Sequence, residues 1–380
     1  MKKLGEVADI GRGKSKHRPR DAEFLFGGRY PFIQTGDVRK ADLYLTEFTQ
    51  TYSEAGLLQS KLWNEDTLCI TIAANIAETS ILKIKACFPD SIIGLIPKEN
   101  KTIVLFVKYL FDKFKIEIQN LSQGVAQDNL NQDKLSKIEF TFPNIEEQKK
   151  ISSFIFSIDS RIQTQKKIIE QLETLMKGVG YKLFNKKISF KNTDLSEFPC
   201  WESKKGNEVF SNISNKNHNS ELPILAITQE YGAIPRDLID FQISVTDKSV
   251  ESYKIVEKGD FIISLRSFQG GIEYSEYKGI CSPAYIILRN KTEVNSYFYK
   301  YYFKSESYIK QLNKKLEGIR DGKMISYAYF SDISLPLPSL NEQTKIANFL
   351  SSLQEKIETE KQILKKLELQ KKFLLANLFV

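Results

Sequence analysis

The strongest constraint on this chain is an internal repeat with a spacing of 195 residues. Residues 142–184 align with residues 337–379 without a gap. Each block begins with a proline followed after three residues by Glu-Gln, at Pro143 and Pro338, and ends in Leu-Phe, at Phe184 and Phe379. Because such self-similarity marks one structural unit used more than once, we expect two related halves.

Weaker matches extend the repeat upstream of the aligned blocks. An aspartate, a cysteine and a proline recur at a spacing of 194 residues, as Asp66, Cys87 and Pro89 and then as Asp260, Cys281 and Pro283. Residues 3–7 also resemble residues 205–209. We therefore predict four segments in order: a globular domain at 1–141, a long helix at 142–185, a second globular domain at 186–336 and a second long helix at 337–380.

The globular segments combine strand and helix patterns. Short runs rich in Ile, Thr and aromatic residues predict strands, and they lie at 30–35, 67–73, 80–85, 92–96, 224–228, 261–264 and 284–288. Apolar residues at three- and four-residue spacing predict a helix over 103–118 and a counterpart over 298–316. Each globular domain should therefore be α+β (mixed α/β).

The repeated blocks themselves carry apolar residues at the heptad spacing of a coiled coil. The predicted helix-pairing residues are Ile151, Ile155, Ile158, Ile162, Ile169, Leu172, Ile346, Leu350, Leu353, Ile357, Leu364 and Leu367. Gln165 and Glu360 place a polar residue at the same position of this seam. We expect the two helices, each ~60 Å long at ~1.5 Å per residue, to pair antiparallel about a pseudo-twofold axis. The alternative is a generic coiled coil used only for dimerisation.

Composition narrows the class of protein further. With 55 Lys+Arg against 47 Asp+Glu the net charge is +8, and 41% hydrophobic residues can form real cores. No apolar run reaches the ~18 residues of a membrane span, and the first residues lack the apolar stretch of a secretory signal, so we expect a cytoplasmic protein. Four cysteines without a CxxC spacing and two histidines argue against a disulfide framework and a metal site.

The positive charge is most concentrated near the start of the chain. Its members are Arg12, Lys14, Lys16, His17, Arg18 and Arg20. The stretch lacks strand or helix periodicity, and glycines bound it at 11 and 13. Since flexible cationic loops suit phosphate oxygens, we predict contact with nucleic acid. An ordinary solvated surface loop is the alternative.

Other polar loop tips offer groups that can hydrogen-bond base edges, because Asn and Gln suit adenine whereas Arg and Lys suit guanine. In the second copy, residues 215–219 form the counterpart of the basic stretch. The candidate residues are Gln123, Gln127, Asn129, Asn215, Lys216, Asn217, Arg266, Gln269, Arg320 and Lys323. Glycine-rich polar tips are also typical of ordinary turns.

Catalytic motifs are absent or poorly supported in the sequence. Residues 8–15 match a relaxed phosphate-loop pattern, but such a loop needs a buried strand before it and a helix after it. Residues 1–7 are too polar for that strand, and Pro19 disfavours a helix directly after the loop. The sequence also lacks the Asn/Asp-Pro-Pro-Tyr/Phe motif of an adenine methyltransferase, and nothing in it supports a catalytic triad.

A nuclease pattern needs separate consideration. Asp90, Glu99 and Lys101 have the spacing of a carboxylate followed by Glu-x-Lys, which can hold a divalent metal and polarise water. The aligned positions of the second copy are Ala284, Val294 and Asn295. Because the two copies share a fold without sharing these groups, Asp90 is better explained as a residue at the start of a strand.

These features together resemble the specificity subunit of type I restriction-modification enzymes. The resemblance rests on the opening Leu4-Gly5-Glu6-Val7, on Phe198-Pro199-x-Trp201 before the second unit, and on the paired Pro-x-x-x-Glu-Gln helix starts. It covers nearly the whole chain. The first copy departs from it in one respect, because no counterpart of Phe198-Pro199-x-Trp201 precedes its opening.

The resemblance implies a non-catalytic subunit whose two globular domains are target recognition domains, each reading one half of a split, asymmetric sequence in double-stranded DNA. It implies that the helices act as a ruler and dock two methyltransferase (M) subunits, and that restriction/translocase (R) subunits join for cleavage. The chain itself would bind no cofactor, since the methyltransferases carry S-adenosylmethionine. The rival hypotheses are a scaffold whose helices link two unrelated binding domains, and an autonomous nuclease using Asp90, Glu99 and Lys101.

Overall fold

The computed structural model describes residues 1–73, 75–120, 130–219, 221–239, 250–314 and 325–379. Two long helices organise it, the central helix Ile145–Phe184 and the C-terminal helix Leu340–Leu378. The chain divides into two compact units, and the division falls within both helices. The first unit comprises Met1–Lys166 and Ile363–Val380, and the second comprises Lys167–Gln362. Each unit therefore holds one globular part and one end of each long helix.

Two sheets form the strand framework described for the first unit. A five-stranded sheet has the order Ala8–Arg12, Ile92–Pro97, Leu68–Thr71, Thr79–Leu82 and Tyr44–Leu45, antiparallel except for its last pair. A four-stranded sheet has the order Gln50–Tyr52, Phe26–Phe32, Ala86–Cys87 and Leu62–Trp63. A short ladder joins Lys2–Lys3 to Glu139–Phe140.

The helices of the first unit pack on both sheets, with Thr35–Lys40 and Val104–Lys113 against the larger sheet and Glu54–Leu58 against the four-stranded one. They are Leu4–Val7, Thr35–Lys40, Glu54–Leu58, Val104–Lys113, Lys115–Asn120 and Gln132–Lys137. Val104–Lys113 buries Phe106, Val107, Leu110 and Phe111 in one cluster with strand residues such as Leu68 and Ile93. The core is thus a helix layer packed on one face of a sheet, as the α+β prediction requires.

The second unit repeats this plan with a smaller sheet. Its four-stranded sheet has the order Phe210–Ile213, Ile286–Asn290, Phe261–Ile263 and Glu273–Tyr274. Two-stranded ladders join Glu202–Lys205 to Ser334–Leu337, Leu225–Thr228 to Gly232–Pro235, and Lys254–Val256 to Gly279–Cys281. Its helices include Gly206–Val209, Ser296–Tyr302, Glu306–Asn313 and Tyr327–Ser331.

The strand register confirms the duplication of the globular parts and corrects its spacing. Leu68 pairs with Leu95 in the first unit. The residues 193 positions further along the chain, Phe261 and Leu288, pair with each other in the second unit. Equivalent strand residues are therefore 193 positions apart, and not 194. The expected match of Asp66 with Asp260 is therefore displaced by one residue. Asp66, with φ of 60°, corresponds instead to Gly259, with φ of 97°, because both occupy the tight turn before the strand.

The Glu-Gln motif at each helix start has a structural explanation. Gln148 is fully buried, donates to Pro143 O at 2.8 Å and accepts from Thr102 Oγ1 at 2.8 Å. Gln343 is equally buried, donates to Pro338 O at 2.8 Å and accepts from the Asn295 amide at 2.9 Å. Because a buried amide must be hydrogen-bonded, each glutamine ties the first turn of its long helix to its own globular part.

The two long helices run antiparallel within each unit. In the first, Ile158 and Ile162 of the central helix pack with Leu367 of the C-terminal helix, while Ile155 lies in a cluster with Phe379. In the second, Leu183 packs with Ile346 and Leu350, and Lys361 bridges to Glu173 at 2.8 Å. Later residues of one helix thus meet earlier residues of the other.

None of the twelve predicted pairing residues is exposed. Ile155, Ile158, Ile162, Ile169, Ile346, Leu350, Ile357 and Leu367 are buried, and Ile151, Leu172, Leu353 and Leu364 are half-buried. Gln165 is also buried. The heptad stripe is therefore the packed side of both helices.

Several predicted element boundaries were wrong. The strand expected at 30–35 is Phe26–Phe32, and Thr35 instead begins a helix, whose start is stabilised by Asp37 Oδ2 accepting from the Gln34 amide at 2.9 Å. The helix predicted over 298–316 is divided, because Ser305 caps a new helix at Glu306. Capping groups overrode the apolar periodicity at both places.

Candidate nucleic-acid interface

The basic stretch of the first unit, residues 12–20, is here called the basic arm. Arg12 is the last residue of the edge strand Ala8–Arg12, which corrects the expectation that the stretch contains no strand. The arm then continues in extended form, with the Gly13 amide donating to Ile92 O and the Lys14 amide to Phe88 O. A Cβ atom at Gly13 would lie 2.1 Å from Pro89 O, so only glycine permits this close approach.

Asp90 anchors the two ends of the basic arm. Its carboxylate lies 2.8 Å from Arg20 Nη2 and 4.0 Å from Arg12 Nη2, and its carbonyl oxygen accepts from Arg12 Nε at 2.5 Å. These arginines are half-exposed, so the ion pairs contribute little stability by themselves. Their effect is to orient the arm, and they give Asp90 a structural role.

The middle of the arm is held against the four-stranded sheet. Ser15 is buried, with its hydroxyl 3.4 Å from the hydroxyl of Tyr52, and the His17 amide donates to Gln59 Oε1 at 3.0 Å. Burial raises the pKa of the Tyr52 phenol. The Arg18 guanidinium donates to the carbonyl oxygens of Ser15 and His17. The arm is therefore a folded surface and not a free loop.

Lys14 and Lys16 are the two side chains that this arrangement presents outward. They alternate with the buried residues Gly13 and Ser15 and are both exposed. Within the described ranges, neither ammonium group has a hydrogen bond or ion pair. Two unneutralised cations held on an extended backbone can each contact one phosphate oxygen.

The second unit brings together a different group of cations, here called the Tyr285 cluster: Lys216, Arg236, Lys254, Arg266 and Tyr285. Lys254 Nζ donates to Tyr285 O at 2.7 Å, and burial together with the charge of Lys216 lowers the pKa of the Lys254 ammonium. Burial raises the pKa of the Tyr285 phenol, while the charges of Arg236 and Arg266 act in the opposite direction. Arg236 and Arg266 therefore lie close enough to the half-buried Tyr285 phenol to act on it, while Lys254 binds the Tyr285 backbone and Lys216 lies near Lys254.

The predicted loop at 215–219 forms one edge of this cluster. Asn215 O accepts from the Ile255 amide at 2.7 Å, Asn215 Oδ1 accepts from the Asn217 amide at 2.9 Å, and the His218 ring contacts Tyr253 O at 3.1 Å. The loop follows the edge strand Phe210–Ile213, as the basic arm follows its own edge strand. Lys216 lies six residues after the first residue of its strand, as does Lys14.

Arg266 and Gln269 were predicted on an irregular loop tip, and the structure corrects this. Ser267–Gly270 forms one helical turn, stabilised by the Gln269 amide donating to Arg266 O at 2.9 Å. Both side chains are exposed. The turn gives them a fixed separation on the surface, which an irregular loop would not.

Sequence reasoning missed Arg236 and Lys254. Neither lies in a motif, and each is separated by many residues from the other members of the cluster, so no local signal marks them. The remaining candidates, Gln123, Gln127, Asn129, Arg320 and Lys323, lie outside the described residues.

The geometry disfavours the two catalytic alternatives. Asp90 precedes and Glu99 follows the strand Ile92–Pro97, so at ~3.3 Å per residue about 20 Å of strand separates them, too far to share a metal ion. Residues 13–22 contain no helix that could complete a phosphate loop. The described residues contain no group of three or more His, Cys, Asp or Glu side chains that could hold a metal.

Comparison with known proteins identifies the family. A family model described as the type I restriction modification DNA specificity domain matches residues 1–174 and again residues 186–369. The chain belongs to this family. The two matches coincide with the two halves of the internal repeat, so the chain is a type I specificity subunit with two target recognition domains.

Curated relatives and solved structures agree with this assignment. The MjaX type I specificity subunit of Methanocaldococcus jannaschii is 31% identical over 296 residues, covering 73% of this chain and 67% of the relative. The MjaVIII specificity subunit of the same organism is 26% identical over 395 residues, covering 97% and 89%. The S subunit structure from M. genitalium has a TM-score of 0.62 at 17% identity, covering 100% of this chain and 95% of that one.

A second solved structure has a similar fold. It comes from a study of complex assembly and conformational transition of the type I restriction-modification system, and it has a TM-score of 0.58 at 15% identity, covering 99% of this chain and 96% of that one.

In the part of the chain that the structure describes, no helix is long and apolar enough to span a membrane.

Proposed function

We propose that the chain recognises a bipartite, asymmetric DNA sequence, with one half-site read by each unit. The observation that carries this proposal is that equivalent positions of one duplicated scaffold present different chemistry. Beyond its edge strand, the first unit presents the basic arm with Lys14 and Lys16, whereas the second presents an amide-rich loop beside the Tyr285 cluster. Two unlike surfaces on related scaffolds suit a target with two unlike halves.

Both surfaces combine the two functions that DNA recognition needs. Exposed lysines neutralise phosphates without regard to sequence, and guanidinium and amide groups can form paired hydrogen bonds to base edges. In the second unit, Arg266 and Gln269 share one helical turn beside Tyr285, whose ring can pack on a sugar or base. We assign Lys14, Lys16 and Lys216 to phosphate contacts, and Arg266, Gln269 and Asn217 to base edges.

The long helices would set the gap between half-sites and dock two methyltransferase subunits. Support for docking comes from apolar side chains on their outer faces. Leu369 and Phe373, one turn apart, are 58% and 66% exposed, and Phe154 is 49% exposed. Exposed apolar side chains grouped on a helix are typical of protein interfaces. Methylation chemistry, and cleavage by restriction subunits, would then belong to the partners, and this chain would be the non-catalytic, cofactor-free recognition subunit.

The proposed role of the long helices is tested by deleting one heptad from each of them. Residues 165–171 and 360–366 occupy the same heptad of the repeat. Removing both should move the units by ~10 Å, since a helix rises ~1.5 Å per residue, which is equivalent to ~3 base pairs at ~3.4 Å each. With the methyltransferase co-expressed, a map of methylated bases in the host genome should show both half-sites unchanged and a spacer about three pairs shorter.

A matched control keeps the helix length and alters only its surface. Substituting the exposed residues Lys167 and Lys365 by alanine should leave the spacer unchanged. If the shortened protein methylates sites with the original spacer, the helices do not measure the gap and the ruler proposal is wrong.

A further inference from the structure

Residues 264–269 of the second unit form a tight turn in which buried and exposed side chains are clearly separated. Ser264 and Ser267 are buried, and Phe268 packs against the core of the unit. The exposed residues of the turn are Leu265, Arg266 and Gln269. Two of these three are polar and are proposed base readers, whereas Leu265 is apolar and 52% exposed. Its exposure needs a separate explanation.

Hydrogen bonds of the turn hold Leu265 in a fixed position. The Ser264 amide donates to Ser267 Oγ at 2.8 Å, and the Ser267 amide donates to Ser264 O at 3.2 Å. The Arg266 amide donates to Ser264 Oγ at 3.2 Å. Because the residues on both sides of Leu265 are bonded, its backbone is already ordered. A ligand that covers the leucine side chain therefore has little backbone entropy to remove.

The duplicated scaffold does not impose this exposure. In the first unit the residue 193 positions earlier is Ile72, which is 3% exposed and belongs to the core. The Ile72 amide donates to Ser91 O at 3.0 Å, so the chain there continues along the neighbouring strand. The same position can therefore bury a branched apolar side chain, and the second unit presents one to solvent instead.

The strand register places Leu265 beside the Tyr285 cluster. Ile263 pairs with Ile286 in an antiparallel ladder, so Leu265, two residues further along, corresponds to the residue that precedes Tyr285. Its neighbour Arg266 lies close enough to the Tyr285 phenol for its charge to act on it. The leucine is thus an exposed apolar side chain next to a group of cations. This charge favours DNA as the occupant, because phosphates flank every base that a side chain can reach.

The chemistry of base edges limits what Leu265 can recognise. In the major groove, the C5-methyl group of thymine is the apolar group that the base edges present, and the other groups are hydrogen-bond donors and acceptors. A leucine can neither donate nor accept a hydrogen bond, so the thymine methyl group is the one that it fits. Arg266, the next residue of the turn, carries the paired donors that suit guanine. The two adjacent side chains therefore suit two adjacent base pairs, one with thymine and one with guanine.

We propose that Leu265 reads a thymine, through contact with its C5-methyl group, in the half-site that the second unit recognises. The contact removes the leucine side chain and the methyl group from water together. It discriminates against cytosine, which has no methyl group at that position and offers an amino group instead. This inference rests on the proposed function, since it requires the second unit to read DNA from the major groove.

Deoxyuridine supplies the probe, because it pairs with adenine as thymidine does and lacks only the C5-methyl group. The full-length chain, assembled with the proposed methyltransferase partners, is titrated by fluorescence anisotropy with target duplexes in which each thymine is replaced in turn. At one thymine the replacement should weaken binding by about fourfold, the value expected for one buried methyl group. This part of the test uses the wild-type chain, so it does not depend on whether a variant folds.

Three variants assign the effect to Leu265. Leu265→Ala should bind the thymine and deoxyuridine duplexes equally, and the thymine duplex about fourfold more weakly than wild type does. Leu265→Met keeps an apolar side chain of similar volume and should keep the difference between the two duplexes. Leu238→Ala is the matched control, because Leu238 is a 61% exposed leucine of the same unit outside the turn, and it should behave as wild type.

Several outcomes would overturn the proposal. One is a target in which no thymine replacement weakens binding, and another is an equal effect of Leu265→Ala and Leu238→Ala. A Leu265→Ala variant that binds more weakly but still distinguishes every thymine from deoxyuridine would show a different contact, such as a wedge between bases. If Leu265→Ala instead weakens assembly with the methyltransferase in the absence of DNA, the leucine contacts a protein.

Failure of this inference can be distinguished from failure of the proposed function. A wild-type complex that prefers its target to a scrambled duplex but does not respond to deoxyuridine would refute the leucine contact alone. A complex that binds both duplexes equally would refute sequence recognition by the chain, and with it the role of Leu265.

Discussion

Replacing Lys14 and Lys16 together by alanine is the most direct test of the basic arm. These are its two exposed cations without a partner in the described structure, whereas Arg12 and Arg20 are already paired with Asp90. The substitutions should remove phosphate contacts without disturbing the fold of the arm. Its attachment to the domain uses the Lys14 backbone, the buried Ser15 and the His17 amide, all of which remain.

The size of the effect is set by counterion release. Each phosphate contact contributes about 0.9 to the slope of log affinity against log salt, so the double variant should have a slope smaller by about 1.8. Between 50 and 200 mM salt, one contact costs the wild-type complex roughly 3.5-fold in affinity and two cost roughly 12-fold. When salt is raised from 50 to 200 mM, the factor by which affinity falls should therefore be about 12 times smaller for the double variant than for wild type.

Fluorescence anisotropy on the chain assembled with the proposed methyltransferase partners measures this slope. A duplex containing the target and a scrambled duplex should show the same reduction in slope, because phosphate contacts carry no sequence information. Lys14→Arg with Lys16→Arg keeps both charges and should keep the wild-type slope. An unchanged slope in the alanine variant would refute phosphate contact by the arm, and a loss confined to the target duplex would make these lysines base readers.

Three further predictions concern the framework and the second unit. Gln148→Leu should lower the free energy of unfolding by about 3 kcal/mol, because it removes a buried side chain that is hydrogen-bonded to Pro143, Thr102 and Lys101. Urea denaturation measures this free energy, and a change below about 0.5 kcal/mol would contradict the prediction. Asp260→Ala should lower the free energy of unfolding, measured by thermal denaturation, by about 2 kcal/mol. Arg289 donates two 2.7 Å hydrogen bonds to Asp260, but its side chain is 39% exposed, so solvent screening makes this value smaller than that of a fully buried ion pair. Arg266→Ala should relax the methylation map at one half-site only, by about 1–3 kcal/mol of discrimination, and relaxation at both half-sites would show that the units do not read separately.

The sequence was sufficient for the architecture, because the relevant signals are local and periodic. The spacing of 195 residues predicted the duplication, and the heptad stripe predicted which faces of the helices are buried. The same patterns carried the family resemblance, which the family match over both halves confirms. Element ends were predicted less well. At Thr35 and Ser305, single hydrogen bonds to capping side chains decided where helices begin, and apolar periodicity does not record such bonds.

The surfaces proposed to contact DNA depended on the tertiary structure. The sequence located the basic arm, but only folding placed Asp90 between Arg12 and Arg20 and left Lys14 and Lys16 exposed. The Tyr285 cluster draws on residues spread from 216 to 285. The sequence patterns that predict helices and strands are local and periodic. A binding surface instead forms where segments distant in the chain pack together, and neither the spacing nor the composition of the sequence shows which segments those are.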